Sequence, residues 1–168
     1  MHIFRISRIV LTVPAMALLG GAIALAQPAV VHTDPKDAPA PYAQKLLNQT
    51  MAKHPEIVIM AMHVTPPGKK DNVIVASNIA RFGKKSDEDD DRVMQTGKSN
   101  LEVNKEGNHF EDECVLFDKN GKNIGAVGIV FNYKPGDDKA ALAKKAEEIR
   151  DEMKAQIDSK AKLFEKVN

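Results

Sequence analysis

Residues 81–91 read RFGKKSDEDDD: three cations, Arg81, Lys84 and Lys85, run straight into five consecutive acids, Asp87 to Asp91. An arginine in such a loop can grip a carboxylate through two parallel hydrogen bonds. The same loop can equally be a solvated basic stretch balanced by the acids that follow, because exposed charge pairs are common and individually weak. Five acids also suggest a cation. Calcium, however, takes oxygen ligands from spaced positions around a sharp glycine turn, and an unbroken acidic run does not supply that spacing. Acids in a first helical turn sit well against the positive end of the helix dipole. With Ser86 ahead of them and Asp89 three residues on, the run predicts a capped helix over 87–95, ended by Gly97, with Val93 and Met94 toward the core.

The remaining chemistry-bearing residues are sparse. His63 stands late in an apolar stretch, sharing a strand face with Ile57, Ile59 and Ala61. It either lines a pocket or is a partly buried, hydrogen-bonded histidine; a single imidazole needs partners to make a metal or catalytic site. DKNGKNIGAVGI begins like a calcium loop at Asp118 and Asn120, but Gly121 comes too early and Ile129 stands where the bidentate glutamate belongs. It reads instead as a hairpin around Asn120-Gly121. His109 and Cys114 are five apart in a strand, hence on opposite faces, which excludes a nucleophile–base pair; Cys114 is expected in the core. There is no G-x-S-x-G, no pair of histidines at helical spacing and no C-x-x-C-H. Catalysis, a metal and a cofactor are therefore not expected. One cysteine closes no internal disulfide.

These residues need elements to position them. Leu46, Leu47 and Met51 are spaced for a helix over 42–54, stopped by Pro55. EIVIMAMHVT (56–65) is apolar on both faces, as a strand covered on both sides should be. PPGKKD is a turn, and NVIVASN (72–78) returns as a second strand. Three more strands are predicted over 100–106, 109–118 and 123–133. The last is rich in small residues, and Gly125, Ala126 and Gly128 allow close approach to its backbone. Asp137 and Asp138 open a long helix whose apolar stripe runs Leu142, Ala146, Ile149, Met153, Ile157. That stripe is either core against the sheet or a dimer seam.

The N-terminus reads as a secretory signal. Arg5 and Arg8 precede the apolar run 9–26, which ends Ala24-Leu25-Ala26, and cleavage is expected before Gln27. The run is about as short as a membrane span can be, and Pro14 and Gly20-Gly21 weaken it as an uncleaved anchor. Residues 1–26 are thus a signal peptide, 27–41 a proline- and alanine-rich extended leader, 42–159 the domain, and 160–168 a tail or the end of the last helix. A periplasmic or secreted location follows. Of the 24 basic side chains, 22 remain without Arg5 and Arg8, against 23 acidic ones. That balance excludes nucleic acid as a partner.

The order helix, strand, strand, short helix, three strands, long helix predicts an α+β fold: a five-stranded antiparallel sheet flanked by N- and C-terminal helices. EIVIMAMHVT, NVIVASN, RFGKKSDEDDDRV and CVLFDKNGKNIGAVGIVF together resemble the PAS-like sensor folds, and the extracytoplasmic single-Cache family most of all. The resemblance spans about residues 42–159. It implies a sheet with one face on the terminal helices and the other roofed by the 78–100 connector over a small ligand. Receptor members of that family carry a membrane span and an output module after the domain, and neither is expected here. On this reading the chain is a free-standing exported domain that captures a small anionic metabolite such as a carboxylate. Arg81 holds the charge, Lys84 or Lys85 assists, His63 and Asn78 hydrogen-bond, and Gly125 and Gly128 leave room. The alternative is a protein–protein interaction module of the cell envelope, with no small ligand, that recruits a membrane receptor or pairs as a homodimer.

Overall fold

The computed structural model describes residues 32–168; the signal segment expected over 1–26 and the start of the leader lie outside the described residues. The elements run α1 (Pro41–Lys53), β1 (Ile57–Val64), β2 (Val73–Ser77), α2 (Glu88–Thr96), β3 (Asn100–Val103), β4 (His109–Phe117), β5 (Asn123–Asn132) and α3 (Lys139–Lys154). The strands form one antiparallel sheet in the order β2-β1-β5-β4-β3. This is the α+β fold expected from the sequence. No helix among the described residues is long and apolar enough to cross a membrane.

Both long helices cover one face of the sheet. Pro41 starts α1 at a position where no backbone donor is lost, and Leu46 and Leu47 are buried beneath it. Asp138 caps α3 by accepting from the amides of Ala140 and Ala141. Ala146, Ile149 and Met153 enter the same core as Met60, Met62, Phe110, Leu116 and Ile129, so the stripe on α3 is core. The helix stops at Lys154, short of the expected 157; Ile157 and Leu163 still reach the core through a turn and a short 3-10 segment, Lys160–Phe164. The end of the expected leader also contributes. Pro35–Asp37 make one 3-10 turn, and Ala38 and Ala40 are buried.

A bulge alters β1. The pairing with β5 slips between Ile57 and Ile59, so Val58 is skipped. Ile57 therefore joins Met60, Met62 and Val64 on the helix-covered face, whereas Ile59, Ala61 and His63 face the other way. The expectation that Ile57 shares the face of His63 fails here because an extra residue reverses the alternation.

The other face is covered by α2. Val93 packs on Val115 and Ala126, with Met94 and Phe117 at the margin. The left-handed Gly97 ends the helix, as expected. The N-cap differs: it is Asp87, not Ser86, and its capping-box partner is Asp90. Ser86 is withheld from that role because its hydroxyl meets His63 and Asn72.

β4 carries an anomaly toward α3. Asp112 is fully buried on the face of Phe110 and Cys114, and neither carboxylate oxygen finds a well-formed hydrogen bond among the described residues, Ser99 offering only a weak one. Burial pushes its pKa up to about 6, with the charge of Glu147 adding to the rise. A carboxyl whose folded pKa is raised contributes stability that is complete below its unfolded value, and that stability is lost as pH climbs through the folded value. Asp112→Asn is expected to raise the melting temperature above pH 6, by the equivalent of at most about 3 kcal/mol, with the gain vanishing near pH 4. Thermal denaturation across that range checks it.

Candidate functional site

The connector between β2 and α2 does two things in succession. Residues 83–86 run back along the outer edge of β2: Ile74 N donates to Lys84 O at 2.9 Å, Gly83 N to Ile74 O at 3.0 Å and Ser86 N to Asn72 O at 3.0 Å. The chain then crosses the sheet as α2. Between the connector, the start of α2 and the open face of β1, β3 and β4 lies a recess of about 210 Å³. A larger hollow, of about 410 Å³, sits at the far end by the β4–β5 hairpin. There Asp118 is consumed by the turn, accepting from the amides of Asn120 and Lys122. The chemistry gathers in the smaller recess.

Its centre is His63. The ring Nδ1 lies 3.1 Å from Asp90 Oδ2 and 3.3 Å from Ser86 Oγ, and both His63 and Asp90 are buried. Ser86 Oγ donates to Asn72 Oδ1 at 3.0 Å, so the hydrogen between Ser86 and His63 belongs to the imidazole. Serine, histidine and aspartate together invite comparison with a hydrolytic triad. A triad needs serine and aspartate on opposite ring nitrogens; here both approach Nδ1, and the serine proton points away. The arrangement is a clamp on α2 and offers no nucleophile. Cys114 supplies none either: it lies on the helix-covered face, and burial pushes its thiol well above the ordinary range.

Two glutamates of β4 complete the floor. Glu111 and Glu113 are two apart and so share the recess face. Glu113 is buried, and its carboxyl hydrogen-bonds to Asp90. Burial raises the pKa of Glu113, and the neighbouring Asp90 charge raises it further, so Glu113 is the partner that holds the proton. Burial would also raise Asp90, but hydrogen bonds from His63, Glu113 and the Asp87 backbone outweigh it and hold Asp90 below the usual carboxylate range. Glu111 is raised by loss of hydration within the concavity and then by the charge of Glu102.

The residues predicted for the site divide. His63, Arg81 and Lys84 line the recess. Arg81 is exposed, and its guanidinium has no hydrogen-bond or ion-pair partner among the described residues, although its carbonyl accepts from Lys84 N at 3.2 Å; it follows Ala80, whose φ of 50° turns the chain there. Lys84 pairs loosely with Asp87 at 3.8 Å. Lys85 does not line the recess. Extended backbone along β2 sends successive side chains to opposite sides, and Lys85 meets Asp71 at 2.8 Å. Asn78 is spent on the fold: its Oδ1 accepts from Met60 N and its Nδ2 donates to Val58 O, each at 2.9 Å. Gly125 lines the other hollow, where an added Cβ would lie 2.2 Å from the carbonyl oxygen of His63. Gly128 does leave room, and the carboxylate of Glu111 occupies it.

The chain is similar in fold to the repressor BlcR of Agobacterium tumefaciens. The two share 9% identity at a TM-score of 0.52, over 69% of this chain and 67% of that one. The inducer-binding domain of the transcription factor PobR from Acinetobacter, solved with 3-hydroxybenzoic acid, matches at 11% identity and a TM-score of 0.46, over 70% of this chain and 95% of that one. A light-oxygen-voltage domain matches at 16% identity and a TM-score of 0.35, over 61% and 95%. No protein-family model and no curated protein matches the sequence. Likeness at such identities is likeness of fold.

The acids that complete the site were missed by the sequence reading, although Glu111 and Glu113, spaced by two in a strand, were a usable signal. The two glycines are expected to behave differently. Gly125→Ala drives a Cβ into backbone and should cost about 3 kcal/mol. Gly128→Ala meets only the movable end of Glu111 and should stay within about 1 kcal/mol. Urea denaturation of both variants distinguishes them.

Proposed function

We propose that this chain is an exported, non-catalytic domain that binds a small metabolite in the recess between α2 and the sheet. One observation carries the reading: Arg81 lines the recess with its guanidinium uncommitted among the described residues, while the neighbouring cations are taken. Lys84 faces Asp87, Lys85 faces Asp71 and Arg92 faces Asp89. An unpaired guanidinium beside a concavity is suited to a bidentate carboxylate.

The rest of the lining qualifies the anion. Glu102 and Glu111 face the same space, and a bare anion would meet their repulsion. A ligand with a carboxylate for Arg81 and an ammonium for Glu102 and Glu111 satisfies both ends. Amino acids and related amines have that form. The volume, about 210 Å³, is below that of sites for drug-sized ligands and suits a molecule of this size. Export rests on the N-terminal sequence, and the single-Cache resemblance on the four stretches quoted above; both belong to this proposal.

A panel of amino acids and simple carboxylates tests it by thermal shift. Arg81→Ala should abolish ligand-induced stabilisation while moving the apo melting temperature by no more than about 2 °C, since the side chain is exposed. Glu111→Gln should weaken amine-bearing ligands and spare plain carboxylates. Stabilisation that survives Arg81→Ala would remove the arginine from the site.

A further inference from the structure

We propose that His63, Asp90 and Glu113 form a divalent-cation site at the floor of the recess. The inference does not depend on the metabolite reading, and the cation is tested alone. Three separate elements, β1, α2 and β4, bring one donor atom each to within 4.8 Å of the others. The three residues are 7%, 2% and 7% exposed. His63 Nδ1 and Asp90 Oδ2 are already 3.1 Å apart, close to the edge of a coordination polyhedron built on bonds of about 2.1 Å.

The second observation concerns Glu113. One of its carboxylate oxygens lies within 4.8 Å of that of another buried carboxylate, Asp90. Two buried carboxyl groups so close need a positive species between them. A proton can fill that place, and so can a metal ion, which would also engage the imidazole. The groups around the trio favour the cation. Asp87 from the start of α2, Glu102 from β3 and Glu111 from β4 face the recess, against Arg81 and Lys84 from the connector. Asp90 is oriented beforehand by the Asp87 amide, a support of the kind that ligating carboxylates require. This differs from the run of five acids considered as a calcium loop: only Asp90 of that run takes part, and the other ligands come from distant strands.

One imidazole nitrogen with two carboxylate oxygens suits zinc, manganese or iron(II) better than magnesium or calcium, which take oxygen alone, and better than copper(I), which prefers sulfur. Three protein ligands leave at least one position open toward the recess.

Zinc and cobalt(II) are the probes, titrated calorimetrically into the full chain, purified without a histidine tag and stripped with chelator. The expected result is one zinc per chain, with cobalt(II) giving a visible absorption band that zinc displaces. Glu113→Gln keeps a hydrogen-bond donor toward Asp90, so it should fold with an unchanged melting temperature while zinc affinity drops at least about tenfold. His63→Gln should lose the cobalt band. No binding tighter than about 100 µM, or equal affinity in wild type and Glu113→Gln, would overturn the proposal and leave the trio a proton-sharing clamp. Failure here leaves capture through Arg81 standing, and loss of metabolite binding in Arg81→Ala leaves the cation site standing.

Discussion

The contact between His63 and Asp90 governs the recess. α2 has nine residues, four of them acids in its first turn, and a helix of that length does not hold itself together in water. Asp90 against His63 and Val93, one turn on, against Val115 and Ala126 dock it on the sheet, and Asn123 adds a hydrogen bond to Met94 O at 2.8 Å. The first of these contacts is polar and buried, so its geometry is demanding. Asp90 must accept from His63, from Glu113 and from the Asp87 amide to offset the loss of water. The capping box that starts the helix and the contact that docks it thus share one carboxylate. Helix formation and the roofing of the recess are one event.

Much of the architecture was legible in the sequence because local signals and tertiary demands agree. Pro55 stops α1, Gly97 closes α2, and Asn120-Gly121 folds the β4–β5 hairpin. The apolar stripe of α3 faces the core as its spacing requires. Departures arise where one residue changes the phase. The bulge at Val58 moves Ile57 to the helix-covered face, and the shift of the N-cap from Ser86 to Asp87 follows from a hydroxyl already committed across the fold.

The site was less legible for a different reason. A capped helix accounts for all five acids equally well. What singles out Asp90 is the rotation of α2 on the sheet, set by Val93. The partners of Asn78 lie 18 and 20 residues away, and those contacts turn a candidate ligand residue into a brace between strands. Lys85 was separated from Lys84 only by the alternation of a segment that looked like a loop and pairs like a strand.

β4 carries its acids on both sides, Glu111 and Glu113 toward the recess and Asp112 toward α3. Such alternation leaves little freedom in how the strand is paired. A slip by one residue would turn Glu111 and Glu113 into the hydrocarbon interior and bring Phe110, Cys114 and Leu116 out under α2. Asp112 would leave the interior in exchange, so the slip adds one carboxylate there and uncovers three apolar side chains, a combined cost that disfavours the alternative hairpin alignment. The acidic groups that give the recess its chemistry therefore also proof-read the assembly of the sheet.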